Sequence, residues 1–336
     1  MTEVCAAPVP CGMSGATTGL GLSRRFYCEA VAPILADRFP GLAHSAALIG
    51  PGSEVLGYDD EMSRDHHWGP RVLLFVRPDD LKRRDAISQA LAERLPPTFL
   101  GFSTSFGPPD AIGVRLPRQT APDEPVAHMV EIHEPRAWFR DHLGFDPCVE
   151  IQAAVWRTCP QQRLLEATAG EVFRDGLGEL EPVRRRLTFY PRSIWLELLA
   201  EKWQEFADEQ PIVGRAGLRG EDLGSRLVAA RQAQRIMELC LMMEHRYIPY
   251  SKWLEAAFND LHTADSIRPH LEAAVAADDW RSREAALCRA AQAAIEVHNG
   301  LELTAPVSPQ PSGFHDRPFR VVRADEVAEA LRRLES

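Results

Sequence analysis

The stretch that most constrains this chain is Leu48-Ile49-Gly50-Pro51-Gly52-Ser53-Glu54, with an eleven-residue spacer between Ser53 and the following Asp65-His66-His67-Trp68-Gly69-Pro70 and the apolar run Arg71 to Val76. Proline and two glycines stop any helix from crossing the first turn, so the flanking apolar segments, Ser45 to Ile49 and Arg71 to Val76, read as two short strands. A Gly-Ser turn ahead of an acidic cluster that opens a strand is suited to one kind of ligand. Backbone amides of such a turn can hold a nucleoside triphosphate while metal-binding side chains face its phosphates.

The neighbouring segments fill out a small α/β layer. Leu22 to Phe39 has helical spacing, with Ser23 as candidate N-cap, Pro33 as an interruption and Pro40-Gly41 as a stop. Leu81 to Leu95 is amphipathic. Pro96 to Pro125 carries many Gly and Pro residues and reads as an irregular excursion with a short strand at Ile112 to Leu116. Val126 to His133 is a third strand, and Arg136 to Leu143 a helix that ends at Gly144-Phe145-Asp146-Pro147. Beyond residue 151 the periodicity is helical: Gln161 to Thr168, Ile194 to Ala207, Leu223 to Met243, Ser251 to Asn259, Ile267 to Ala276 and Trp280 to Asn299. Phe319 to Val322 is extended and Ala324 to Leu334 is a closing helix. The expected fold class is α+β. It has a tail at residues 1–19, a small mixed-sheet domain at 20–147 and an all-helical domain at 148–336.

Composition excludes several function classes. The 336 residues carry 38 Lys and Arg against 48 Asp and Glu, a formal charge of −10, which argues against a broad nucleic-acid surface because phosphate contacts need clustered cations. Seven cysteines are scattered without a CxxC pair, so neither a disulfide framework nor a zinc site is signalled, and a reducing cytoplasm is expected. No run of about 20 apolar residues is present to span a bilayer, and residues 1–18 lack the cationic start and apolar core of a secretory signal. A small molecule is the expected partner.

Gly52-Ser53, the spacer, the Asp-rich strand entry and a later acidic strand together resemble the nucleotidyltransferase superfamily of polymerase-beta type. The segments LIGPGSEVLGYDDEMSRDHHWGPR (48–71), IVGRAG (212–217), DLGSRLVAAR (222–231) and HRYIPYSKWLEAAF (245–258) are similar to a bacterial family carrying a domain of unknown function, DUF4037, over roughly residues 20–330. The resemblance implies a nucleotidyltransferase-like domain in which two strand carboxylates and a third acid hold Mg2+ or Mn2+ around the triphosphate. Asp65 matches the first carboxylate. His67 stands where the family pattern Asp-His-Asp has its second, which removes a negative charge and an oxygen ligand that magnesium prefers. Glu131, on one face of the third strand with Ala127, Met129 and His133, is the candidate third acid, as metal ligand or general base, or else simply an exposed edge carboxylate. The implied reaction transfers a nucleotidyl group from an NTP to a small-molecule acceptor. The alternative is a fold that has lost metal-dependent transfer and binds a ligand or runs metal-independent chemistry.

Further candidates each have a structural reading beside the functional one. Arg64 and Arg71 suit phosphate oxygens or internal ion pairs. Trp68 suits a base or simple packing, and Asp59-Asp60-Glu61 reads as a solvated loop. The chain has three lysines, and Lys252 lies between Tyr250 and Trp253. With Ser251 capping the next helix, Lys252 would occupy its first turn, where the dipole disfavours a cation. A phosphate there would compensate, so Tyr250 and Lys252 join Gly52, Ser53 and Arg64 as candidate nucleotide contacts, against the reading of a surface lysine at a helix corner. Asp222 is expected to cap the helix that follows it.

Overall fold

Thr18 starts the first helix by accepting the Gly21 amide at 3.2 Å, and α1 runs Gly19–Phe26. The computed structural model describes residues 18–65, 68–111, 113–121 and 124–334, which form two compact units, Met1–Pro135 with Ala169–Leu180, and Arg136–Thr168 with Glu181–Ser336. This division differs from the expected 20–147 and 148–336. The first unit takes back a later segment, and residues 136–147 go with the helices.

The helix predicted over Leu22–Phe39 forms as α1, a π turn Tyr27–Val31, and α2 Ala32–Arg38. Pro33 has no N–H to give, and just ahead of it the Ala32 amide reaches five residues back to Tyr27 O, so the helix continues by widening one turn. Ser23 is not the cap. It is fully buried inside α1, where its hydroxyl contacts Gly69 O and the Arg71 amide, both at 3.4 Å, at the entrance to the second strand.

The first unit is built on a four-stranded mixed sheet. β1 is His44–Leu48, followed by the four-residue helix α3 Ser53–Leu56, β2 Arg71–Val76 and α4 Arg84–Arg94. A two-residue hairpin follows, β3 Thr98–Phe99 with β4 Phe102–Ser103, turning on Leu100 (φ 51°) and Gly101 (φ 85°). β5 is Met129–His133 and β6 Glu171–Asp175. The sheet order is β5-β2-β1-β6, antiparallel except for the parallel β2–β5 pair. Ala46, Val72, Leu74, Val76, Val130 and Ile132 face Phe26, Val31, Leu35, Ile87 and Leu91 in one apolar core. Burial of such side chains contributes about 1.5–3 kcal/mol each as an upper bound, well above the cost of one shifted helical turn. Strand alternation then puts Ala47, Arg71, Leu73, Phe75, Met129, Glu131 and His133 on the opposite face.

Two expectations in this unit change. The third strand is shorter than Val126–His133, because Val126 N is drawn to Ala92 O instead. No strand forms over 113–116, and Ile112 lies outside the described residues. Gly107 N bonds Leu116 O, and Phe106 bridges Pro117.

The second unit is helical. It contains α5 Pro135–Leu143 (from Arg136 onward), α6 Ala153–Thr158, α7 Gln161–Thr168, α8 Leu180–Arg186 (from Glu181 onward), α9 Arg192–Glu209, α10 Ile212–Leu218, α11 Asp222–Met243, α12 Leu254–Asn259, α13 Ala264–Ala276 and α14 Trp280–Gly300. The hairpin β7 Ser312–Gly313 with β8 Arg320–Val321 and the helix α15 Ala324–Arg332 complete it. Trp203, Phe206, Ile236, Leu239 and Ile295 are fully buried where α9, α11 and α14 pack. Trp195 Nε1 donates to Met242 O at 2.9 Å, and Lys202 pairs with the buried Glu238 at 2.9 Å, fixing α9 against α11. No helix among the described residues is long and apolar enough to cross a membrane.

His298 on α14 is fully buried. Its Nε2 meets Thr304 Oγ1 at 3.1 Å, and its Nδ1 has no partner among the described residues. Burial pushes its pKa down to about 4, so the folded chain refuses a proton that the unfolded chain accepts near 6.5. The stability linked to it is therefore fully present above about pH 6.5 and is lost as pH falls toward 4. The expected loss over that window is about 2–3 kcal/mol. It is measured as the gap in unfolding free energy between wild type and His298→Asn, which should narrow from pH 7 to pH 4. A gap that stays constant would show that the imidazole titrates normally.

Candidate functional site

The turn after β1 requires glycine at two places, Gly50 (φ 94°) and Gly52 (φ 150°), where a side chain would strain the backbone. Ser53 then opens α3. Arg71, the first residue of β2, reaches back into this turn, its Nε donating to Glu54 Oε1 at 2.7 Å and its Nη2 to Pro51 O at 2.8 Å. A Cβ on Gly52 would stand 2.4 Å from Arg71 Nη2 and 2.7 Å from Glu54 Oε2. The turn is thus wrapped around a guanidinium–carboxylate pair whose Glu54 member is 3% exposed. Of the two readings open to Arg71, the structure realises the internal ion pair.

The spacer is more ordered than a solvated acidic loop. Asp59 Oδ2 accepts the Gly19 amide at 2.7 Å and Trp68 Nε1 at 3.0 Å, tying the start of α1 to the approach to β2. Asp60 and Ser63 exchange reciprocal bonds at 2.7 Å, which cap the 3-10 turn Met62–Asp65. Trp68 is 3% exposed and packs edge-on against Phe102 at 5.0 Å, so it serves as packing. The Arg64 guanidinium lies 4.4 Å above the indole centroid, and its buried Nε has no hydrogen-bond partner among the described residues. Asp65 ends the 3-10 turn, whereas His66 and His67 lie outside the described residues.

Glu131 pairs with Leu73 in the parallel β2–β5 ladder, two residues along from the Arg71–Met129 pair, so it shares a sheet face with Arg71. Its side chain is 53% exposed, with Oε2 3.2 Å from His133 Nε2. Among the described residues no three His, Cys, Asp or Glu side chains converge as a metal site. Glu131, beside an imidazole, does not by itself fit a preformed magnesium site.

Gly52, Ser53, Arg64, Asp65 and Glu131 therefore belong to the first unit, and Tyr250 and Lys252 to the second. The Tyr250 amide donates to Gln162 Oε1 at 2.9 Å and the Ile248 amide to Gln161 Oε1 at 2.7 Å, which pins this segment to α7. Ser251 does not cap the next helix. α12 begins at Leu254 with Trp253 as its cap, so Lys252 precedes the helix and the helix dipole does not call for a phosphate beside it. The Lys252 ammonium lies 4.5 Å from the Trp253 ring centroid instead.

The sequence reading missed the role of Asp222. Glu221 is the N-cap position, and the Asp222 carboxylate takes Arg283 and Arg226, the latter at 2.7 Å. Hydrogen bonds from Arg283 and then Arg226 hold its pKa below the usual carboxylate range. Also missed was the ring cluster of Phe189, Tyr190, Trp195, His245 and Tyr247, in which Tyr247 OH donates to Leu187 O at 2.8 Å. Desolvation raises the Tyr247 and Tyr190 pKa values, so both phenols act as neutral packing groups. The aromatic density of residues 189–195 and 245–250 was the available signal.

No curated protein matches the chain. A solved structure of a nucleotidyltransferase-like protein from Exiguobacterium sibiricum is similar at 12% identity and a TM-score of 0.33, covering 94% of this chain and 89% of that one. Residues 156–254, from α6 to the first residue of α12, match the family described as Domain of unknown function (DUF4037), a narrower span than the resemblance over 20–330 implied. The matched span includes β6 of the first unit as well as the helices.

Proposed function

We propose that this chain is a nucleotidyltransferase-type enzyme that takes a nucleoside triphosphate, with Mg2+ or Mn2+, and passes its nucleotidyl group to a small-molecule acceptor in the cytoplasm. The observation that carries the reading is the order of parts in the first unit. A strand runs into Gly50-Pro51-Gly52-Ser53, the chain returns through Asp65-His66-His67 into an antiparallel strand, and a parallel neighbour carries Glu131 on the Arg71 face. In the reaction the acceptor oxygen would attack the α-phosphorus as the bond to the bridging oxygen breaks and pyrophosphate leaves. His67 or Glu131 would take the hydroxyl proton. Asp65 would supply the oxygen ligand for the divalent ion, whose part is to neutralise phosphate charge. Gly52, Ser53 and Arg64 would hold the phosphates.

Calorimetry with ATP, GTP, CTP and UTP, each with and without Mg2+ or Mn2+, tests this directly. At least one triphosphate is expected to bind below millimolar concentration in a metal-dependent way, and His67→Asp is expected to tighten magnesium by restoring a carboxylate. Absence of binding with either metal would overturn the enzyme reading. A second reading, a binding protein without transfer chemistry, is favoured by one observation: the Arg71–Glu54 pair fills the space beside Gly52. Metal-independent nucleotide binding, unchanged in His67→Asp, is the result expected of it.

A further inference from the structure

A cavity of about 460 Å3 opens in the second unit between the end of α10 and the β7–β8 hairpin. Gly214 lets these two elements touch, since a Cβ there would stand 2.5 Å from Phe319 Cδ1. Arg215 and, one helical turn on, the C-cap residue Arg219 line the cavity from the α10 side. The hairpin contributes Phe314, His315 and Arg317 to the lining. Its turn is fixed by Phe314 N to Phe319 O at 3.0 Å and Arg317 N to Phe314 O at 3.1 Å, with His315 held at φ 52°.

Three guanidiniums and an imidazole thus surround one cavity with no carboxylate in its lining, in a chain of net charge −10. The carboxyl end of α10 favours cations and accounts for Arg215 and Arg219. It does not account for Arg317 and His315, which arrive from a distant part of the chain. Among the described residues Arg215 and Arg317 have no ion-pair partner. Arg219 holds Glu221 at 2.9 Å, but the two side chains are 74% and 53% exposed, a pair of little net worth that yields readily to a phosphate. Cations gathered around one cavity repel each other, and an anion removes that cost. Half-buried Phe314 adds an aromatic face to the same lining, and the volume lies within the range of small-ligand sites.

We propose that this cavity is a nucleoside polyphosphate site, with the phosphates on Arg215, Arg219 and Arg317 and the base against Phe314. Its lining residues all belong to the second unit, whereas Gly52 and Ser53 belong to the first. The test uses the full-length chain with ADP, pyrophosphate and adenosine, read by calorimetry and by hydrogen exchange of segments 212–219 and 312–321. ADP is expected to slow exchange in both segments. Arg215→Gln with Arg317→Gln should weaken ADP by about tenfold or more, with melting temperature held within about one degree because both arginines are exposed. Phe314→Ala should weaken ADP and spare pyrophosphate. No protection at millimolar ADP, or an affinity unchanged by the double substitution, overturns the site. Pyrophosphate binding as tightly as ADP with no effect of Phe314→Ala overturns the nucleoside assignment. Protection that disappears in a Gly52→Val variant whose fold is intact would assign the ADP to the first unit and also sink the proposal.

Discussion

Glu54→Leu is expected to lower the unfolding free energy by about 3–5 kcal/mol, the loss typical of removing one partner from a buried ion pair. The Glu54 and Arg71 side chains are 4% and 13% exposed, and among the described residues the guanidinium would be left with Pro51 O as its hydrogen-bond acceptor. The deficit arises from a charge without compensation, not from the lost attraction alone. Glu54→Leu combined with Arg71→Met should therefore recover much of it, since an apolar pair of similar volume replaces two desolvated charges. Urea unfolding of the two single variants and the double variant separates these terms. A loss below about 1 kcal/mol in Glu54→Leu would mean that water reaches the pair and that the turn is looser than its packing indicates. The double variant also tests the function, because it changes the space beside Gly52 without altering the glycine.

The sheet was partly legible for a simple reason: β1, β2 and β5 are short apolar runs bounded by turn residues. β6 escaped notice because Glu-Val-Phe-Arg-Asp, on a sheet edge, has two acids and an arginine and no clean alternation. Its signal lay in the residues that bracket it. Gly170 and Gly176 flank the strand, and a Cβ on either would stand 2.1 Å from Leu48 O or 2.4 Å from His44 O, so β6 can approach β1 only with glycine at both ends. A strand that returns to the sheet from between helices makes the first unit discontinuous in sequence, which no single boundary near residue 147 can express. The longer helices were legible because their periodicity is sustained, whereas their ends depended on contacts. Ser23 and Ser251 look like caps in isolation, yet the first is recruited by the β2 entrance and the second precedes a helix that begins at Leu254.

At the candidate site the sequence identified residue types and left their partners open. Arg71 could serve a phosphate or a carboxylate, and only the fold shows Glu54 within 2.7 Å. Asp59 appeared solvated because charge runs usually are, but a neighbouring indole N–H and the first amide of α1 both find it. Such choices depend on residues many positions apart, which spacing along the chain does not encode.

Arg283 is the second residue whose loss should be costly. Its side chain is fully buried on α14. Nη1 donates to Ser225 Oγ at 2.6 Å, Nη2 to the Asp222 carboxylate and to Asp278 O at 3.2 Å, and Nε to Ala277 O at 3.2 Å. One guanidinium thereby satisfies the start of α11 and the linker between α13 and α14, a task that needs a planar fork with several donors. Asp222 is half-exposed, so water can replace its share of the pairing. The enclosed Ser225 hydroxyl and the two carbonyls are compensated less easily. Arg283→Met, which keeps much of the volume and removes the donors, is expected to cost about 3–4 kcal/mol. Arg283→Lys should recover only part of this, because an ammonium cannot reach acceptors on both sides. The loss should concentrate in the linker, so limited proteolysis is expected to cut near residues 276–279 in the methionine variant before any other site. A methionine variant with the parent's unfolding free energy and cleavage pattern would show that solvent already satisfies these acceptors. The Asp222 and Ser225 pairing would then be incidental to the stability of the helical unit.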